Sequence, residues 1–448
     1  MSAKIKASIR EKYEDFNKDK ILDDLVDKVI EIEKLKKEKE KLEKELKKYK
    51  NAHTPSSKLR FDKPQAKGLP VGRKKGKKSK QLGKTRPQDK PSLTILVEAD
   101  KNPATGNTNI VETGEFVETI VTDFKIEKNV TLYRVKEYKD LDTNEIFLAP
   151  HPDIPEKGIF GKNVLAFANA LHFEYRVPFG GIANIFTNVF DISMTAPTAM
   201  NICNRVANKL SYKYEELNGE LRASDVVNGD ETGSNQNGRS EWLWGFFTPL
   251  IAFFRFFPQR GGKILEEVLG KCFKGKIGCD GWSTYAVYSK EYGILLQRCW
   301  AHLIREVRYM CKDVPELHEA YVWIMDMFKK IKKLRTIKSK TRRQKGYDQL
   351  IADMDKWVKI YRCYRGMKQI VTKVENGGKF WFTCVLHPEI EPTNNSAERG
   401  LRKFVVMEKI MGCLRTEQGK KTTQIMMSLF GTWNLQGLNP YQELRAIL

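Results

Sequence analysis

Residues 226–233 read Val-Val-Asn-Gly-Asp-Glu-Thr-Gly, and residues 277–282 read Ile-Gly-Cys-Asp-Gly-Trp. Each is a short apolar run that closes on an aspartate, Asp230 or Asp280, followed by flexible residues. In an open sheet, functional groups collect where strands end, so the two carboxylates are candidates for one cluster. Each is also a turn signal, because an aspartate ahead of a loop favours a turn without any chemistry.

Working outward, 241–248 and 250–257 pair as a hairpin around Pro249, 263–269 reads as a helix, and 276–280 as a buried strand. A helix over 283–291 and a strand over 294–299 continue the alternation. Strands interleaved with helices predict an α/β fold, a mixed sheet covered by helices. The apolar stretch from 243 to 258 is too short for a membrane span and is interrupted by Pro249 and Arg255, so two adjoining strands explain it. Residues 315–370, rich in Lys, Arg, Trp and Met, read as an inserted helical region, and helices from Ser396 and over 422–435 close the chain. Upstream, 162–210 has short helices with tight turns. That suits a helix-turn-helix whose last helix enters the major groove, and equally any compact three-helix core. Short strands are expected at 93–97, 115–124, 131–138 and 145–149.

The N-terminal 50 residues are charged and helical in character, and one heptad frame sets Leu25, Ile32 and Leu46 at a, with Ile21, Leu35, Leu42 and Tyr49 at d. Lys28 and Lys39 spoil two positions, so a dimerising coiled coil competes with a solvated Lys/Glu-laced helix. Between 51 and 92, thirteen Lys and Arg face two Asp, a net +11, with Lys74, Lys75, Lys77 and Lys78 at the densest point. Such a tether holds phosphates without reading sequence.

Across all 448 residues, 79 Lys and Arg outnumber 56 Asp and Glu, a net +23 that predicts a polyanionic partner, nucleic acid ahead of membrane. At 41% apolar residues the chain is not disordered as a whole. Eight cysteines without a Cys-x-x-Cys pair suit reduced thiols, and no apolar leader opens the sequence, so an intracellular, membrane-free protein is expected.

A third carboxylate, Glu398, lies in Pro392-Thr-Asn-Asn-Ser-Ala-Glu-Arg-Gly-Leu-Arg-Lys403. Asn395 with Glu398 is a capping box, and Glu398 with Arg402 an i,i+4 pair, so capping and chemistry compete for one side chain. Arg399, Arg402 and Lys403 beside it form a basic face suited to phosphates. Among other residues, Cys299 and His302 are two metal-capable groups without a second pair, which favours a structural role over a zinc site. Trp282 and Tyr285 are base-stacking groups or core aromatics, with packing the commoner use. Arg305, Arg308, Lys329, Lys330, Lys332, Lys333 and Arg335 face either solvent or DNA.

Six runs in order resemble the transposases of the insertion-sequence-66 family, members of the DDE group with an RNase H-like core. They are Gly229-Asp-Glu-Thr232 with Trp242-Leu-Trp244, Pro258-Gln-Arg-Gly-Gly262, Phe273 through Asp280 to Tyr285, Cys299-Trp-Ala-His302 to Arg305, Asn394 through Glu398 to Arg402, and Asn434 to Tyr441. The resemblance covers roughly 150–448 and implies that Asp230, Asp280 and Glu398 are the catalytic, metal-holding triad. It further implies Mg²⁺, with Mn²⁺ as a substitute, Asp230 bridging two ions and Asp280 and Glu398 each holding one. The implied activity cleaves DNA at transposon ends and joins the 3′-hydroxyl to target DNA. A transposon-derived DNA-binding protein without transposition and an RNase H-fold nuclease without strand transfer are the alternatives. The implied partners are double-stranded DNA, further copies of the chain and accessory proteins of the element, in the nucleoid-associated cytoplasm of a prokaryote.

The division that follows is a helical or coiled-coil segment at 1–50, a basic linker at 51–92, a small β-rich module at 93–155 and a helix-turn-helix-like region at 156–220. The catalytic core occupies 221–310 and 393–448, with a helical insertion at 311–392 before the last acid. Two departures from the family stand out. Its cysteine zinc module has no counterpart here, since 93–150 contains no cysteine, which argues against zinc. Its Arg-Lys after the last acid is replaced by Glu408-Lys409, which removes a phosphate contact at 408.

Overall fold

The structure, a computed structural model, describes residues 90–448 apart from 116, 262, 313, 315 and 316, together with seven helical positions between 28 and 40. The chain divides into two units, 1–125 and 126–448. In the first, Ile32 and Leu35 are helical and half exposed. The other heptad positions named above, and the basic linker as far as 89 with Lys74, Lys75, Lys77 and Lys78, lie outside the described residues.

The strands expected at 93–97 and 115–124 are not formed among the described residues, and the one expected at 131–138 is reduced to β1 (Glu137–Lys139), paired with β2 (Ile146–Leu148). Alternating apolar residues make a strand only where a neighbour satisfies the amides and a surface covers one face. Here Val97 and Val117 are 86% and 97% exposed, so neither condition is met.

In the second unit, α1 (Lys162–Phe173), α2 (Phe179–Val189) and α3 (Ala196–Lys209) enclose a small core of Ala168, Ile182, Phe186 and Ile202. Thr195 caps α3, its Oγ1 accepting the Thr198 amide at 3.3 Å. Another face of α3, with Cys203, Val206 and Ala207, enters the main core, and Asn204 accepts a hydrogen bond from Thr422 at 2.8 Å. Pro197, Met200, Asn201 and Asn208 form the exposed strip of that helix. α4 (Ser211–Arg222) then leads into the sheet.

The sheet has five strands in the order β5-β4-β3-β6-β7. β3 (Val226–Gln236), β4 (Arg239–Phe247) and β5 (Ala252–Phe257) form an antiparallel meander, whereas β6 (Lys276–Cys279) and β7 (Leu295–Arg298) run parallel to β3. α5 (Ile264–Leu269) and α6 (Ser283–Tyr292) make the crossovers. β3 is longer than its apolar run suggests. Asn237 and Gly238, at φ +46° and +83°, make a two-residue turn that matches the twist of the flanking strands and extends the hairpin six residues past Asp230.

Between β7 and the last acid lie α7 (Trp300–Lys312), α8 (His318–Arg335), α9 (Lys340–Tyr361), α10 (Lys368–Gly377) and α11 (Thr383–Leu386). They share a second core around Trp300, Met327, Trp357 and Trp381. Arg335 ties this region to the return chain, donating to the carbonyls of Pro388 and Ile390 and pairing with Glu391. α12 (Asn395–Met411), α13 (Glu417–Leu435) and α14 (Pro440–Ile447) complete the fold. Among the described residues no helix is long and apolar enough to cross a membrane.

Both sheet edges are covered. Along β5, the amides of Ala252, Phe254 and Phe256 donate to Thr432 Oγ1, Ser428 Oγ and Gln424 Oε1 of α13 at 3.1, 2.9 and 3.3 Å. A helix places residues four apart about 6 Å along its axis, close to the two-residue repeat of a strand, so one helical face serves every second amide. Along β7, Gln297 accepts from the Cys384 amide and donates to the Trp381 carbonyl. Edges left open would invite pairing with other chains. Ser428→Ala leaves the buried Phe254 amide without an acceptor. We expect it to lower the unfolding free energy by about 1–3 kcal/mol in urea titration, and an unchanged midpoint would refute this role.

Candidate active site

Asp230 does not end its strand but sits inside β3. The parallel pairing of β3 with β6, however, stops at Asn228↔Gly278. Two residues on from each partner come Asp230 and Asp280, so the acids stand level where the two strands part. That is the crevice position in an open sheet. Asp280 is fixed there by a tight turn, its Oδ1 accepting the Trp282 amide at 2.9 Å, while Arg298 approaches its carbonyl.

Glu398 arrives on α12. The capping box does not form: Asn394 is the cap residue, it makes no side-chain bond to the helix, and Glu398 lies one turn in. Asn394 instead donates Nδ2 to the Gly229 carbonyl at 2.7 Å, and its own amide points to Cys299 Sγ at 3.1 Å. Near the other end of the helix, Glu408 Oε1 accepts from Ser234 Oγ at 2.9 Å and from the Asn235 amide at 3.0 Å. The departure at 408 is thus a clasp between α12 and β3. Gly400 permits close approach, since a Cβ there would lie 2.1 Å from a ring carbon of Phe247. Glu398 shares the face of Asn394, one helical turn on, and is aimed at the sheet. The groups facing it are not Arg402 but His302, with Nδ1 3.6 Å from Oε1, and Arg305, 3.7 Å from Oε2.

Electrostatics tie the group together. Burial, followed by the charges of Glu231, Asp280 and Glu398, holds the Asp230 carboxyl well above the ordinary carboxylate range. Glu231, whose side chain is fully buried, is pushed up to about 7 by burial and by Asp280, against the lowering pull of Arg260. Acids so placed repel one another at short range in a poorly solvated site, and a cation relieves that repulsion. Glu398 Oε1 is buried without a hydrogen-bond partner, which is uncommon for a carboxylate oxygen.

Glu231 and Arg260 are the members that sequence reasoning passed over. Arg260 bonds Glu231 through Nε at 2.9 Å and lies between two indoles, its guanidinium 3.5 Å from the Trp282 ring centre and 4.6 Å from that of Trp242. The run Pro258-Gln-Arg260 carried the signal, but nothing local in it names a carboxylate 29 residues upstream. Tyr285 is wholly buried, packs on Trp244 at 5.8 Å and points its hydroxyl at Glu231 at 3.4 Å, so it is a core residue and not a stacking platform. Arg399, Arg402 and Lys403 are exposed on α12, with Lys403 3.8 Å from Glu174. Arg308 is exposed. Lys329 and Lys330 pair with Asp326 and Asp353, and Lys332 covers Phe328.

Cys299, His302 and Glu398 present ligand atoms that all lie within 4.8 Å of one another. Cys299 and His302, only three residues apart in sequence, thus gain a third neighbour from α12.

Helices on a five-stranded mixed sheet, with acids gathered at a strand crevice beneath a basic helix, are compatible with a transposase. Residues 157–422, more than half of the chain, match the model of the transposase IS66 family, and the chain belongs to that family. It is thus a DNA-processing protein of mobile elements. No curated protein matches it. The match begins at 157, just ahead of α1, so the three-helix region belongs to the same family domain as the sheet.

Because the folded state keeps protons that the unfolded chain releases, stability falls as pH rises through this window. For Glu231, with an ordinary value of 4.5 and a folded value of about 7, the loss between those limits reaches about 3 kcal/mol. We expect melting in chelator to weaken from pH 4.5 to pH 7, Mg²⁺ to flatten the slope, and Asp230→Asn to flatten it without metal. A pH-independent melting temperature would contradict this.

Proposed function

We propose that the chain is a DDE transposase with an RNase H-like core, which cleaves DNA at the ends of its element and joins the freed 3′-hydroxyl to target DNA. The observation that carries this reading is the convergence of Asp230, Asp280 and Glu398, from three distant segments, on one crevice whose negative charge is incompletely neutralised. An antiparallel three-strand meander followed by two parallel strands supports the RNase H-like assignment.

The donors fit hard divalent cations, since carboxylate oxygens are what Mg²⁺ or Mn²⁺ prefers. Asp230, Asp280 and Glu398 would hold them. When bound, such ions supply the charge that activates water and stabilises the departing 3′ oxygen. The chain's own groups do the rest. β3 and β6 hold two acids level, while the Asn394 and Glu408 clasps hold the third. Arg260 pairs with Glu231 and offsets part of the charge that this neighbouring carboxylate adds to the crevice. Arg399 and Arg402, exposed one and four residues beyond Glu398, are placed to receive the phosphates that flank the scissile bond. Homo-oligomerisation and the basic linker belong to the same proposal, since two element ends are brought together and the linker adds sequence-independent grip.

Asp230→Asn, Asp280→Asn and Glu398→Gln should each lower Mg²⁺-dependent end cleavage on the order of 10³-fold or more while leaving mobility-shift affinity for the same DNA within about threefold. Retained cleavage in any of them defeats the triad. Joining of a labelled pre-cleaved end to plasmid separates a transposase from a nuclease.

Replacing Lys74, Lys75, Lys77 and Lys78 with Gln should weaken binding alike for specific and unrelated DNA, and should make the slope of log affinity against log salt shallower by roughly 0.9 per lost contact. A loss confined to one DNA sequence would show base reading instead.

A further inference from the structure

We propose that Cys299, His302 and Glu398 form a second kind of metal site, which takes a borderline-soft ion of the Zn²⁺ class and, by occupying Glu398, competes with the hard-metal site. Its effect on activity rests on the function proposed above. The binding itself rests on geometry alone.

The three residues meet for separate reasons. Cys299 follows β7 and His302 lies three residues on in the first turn of α7, so their side chains share a face. Glu398 is set opposite by the clasped α12. Asn394, at the start of that helix, sends its amide to Cys299 Sγ, so one contact fixes the sulfur and aligns the helix carrying the carboxylate.

His302 Nδ1 and Glu398 Oε1 stand 3.6 Å apart. That is beyond a hydrogen bond, yet it is the edge of a tetrahedron of about 3.3–3.8 Å that follows from metal–ligand bonds of about 2.0–2.3 Å. All three donor atoms fall within 4.8 Å, so small side-chain rotations suffice to close them on one ion.

The surroundings suit such an ion. Glu398 Oε1 is buried and has no hydrogen-bond partner, whereas Oε2 is turned toward Arg305, so the oxygen facing His302 is the one available. Asp280 adds negative potential nearby. Three protein ligands leave a fourth position for water or phosphate, and the Glu398 side chain as a whole is 31% exposed. On binding, the thiol S–H bond breaks, its proton passes to bulk water, and the sulfur pair bonds the metal. Hard Mg²⁺ has little affinity for a thiolate, so donor type separates the two sites although they share one residue.

The test uses the full-length chain with exposed Cys272, Cys363 and Cys413 changed to Ser, titrated with Co²⁺ as a spectroscopic stand-in for Zn²⁺. We expect one equivalent to give a thiolate-to-cobalt charge-transfer band that Zn²⁺ displaces, with excess Mg²⁺ raising the Co²⁺ concentration needed to form it, because the two sites share Glu398. Cys299→Ser, which keeps an acceptor for the Asn394 amide, should abolish the band. His302→Gln and Glu398→Gln should each weaken Zn²⁺ by more than the roughly 10–100-fold that loss of an outer partner of a ligand costs. Absence of the band, or its survival in Cys299→Ser, overturns the site, and circular dichroism checks that each variant is folded. In cleavage assays Zn²⁺ should inhibit the parent and lose that inhibition in Cys299→Ser. Should the parent not cleave DNA at all, the transposase reading fails while the cobalt spectrum still decides the metal site.

Discussion

Everything at the crevice depends on how α12 is fastened to β3. Asn394 holds the Gly229 carbonyl at one end, Glu408 holds Ser234 and Asn235 near the other, and Gly400 lets the helix down onto Phe247. Two attachment points fix both the position and the rotation of a helix. A single one would leave Glu398 free to swing about it. This clasp carries the energetic burden of holding a third carboxylate close to Asp230 and Asp280, since like charges at short range in a buried site push apart.

The inserted helices serve the same end from the other side. Their own core around Trp300, Trp357 and Trp381 makes them a body in their own right, yet the chain returns from them under tight control. The Trp300 amide donates to the Pro392 carbonyl at 3.0 Å, and Arg335 grips the carbonyls just before it. A long excursion therefore ends within a few residues of where it began, and Asn394 emerges against Cys299. The same closure that delivers Glu398 to the sheet delivers it to His302, so the carboxylate cluster and the Cys299–His302–Glu398 cluster follow from one chain path.

Much of this was legible in residue order. The apolar runs ending in Asp230 and Asp280, the hairpin around Pro249 and the two crossover helices were readable because each is set by local periodicity and turn chemistry. Asn237-Gly238 was an equally clear turn signal and would have extended β3 to Gln236. The strands expected over 93–136 failed for the opposite reason, because alternation describes a willingness to pair and not the presence of a partner. The Asn395–Glu398 capping pattern was a sound local inference that lost to tertiary contacts. Asn394 took the cap position and spent its side chain on β3, which freed the carboxylate. Glu231 and Arg260 were adjacent to or inside recognised motifs, but their pairing crosses the sheet and leaves no trace in spacing.

By itself the sequence determined the alternation of strands and helices, the basic balance of the chain and the motifs of its family, since composition, period and motif are properties of neighbours along the chain. Only the tertiary structure decided which carboxylates face one another, that Glu408 is a clasp and not a DNA contact, and that Cys299 and His302 acquire a third companion. Those outcomes turn on distances between residues up to 174 positions apart, which close packing sets and no local pattern encodes.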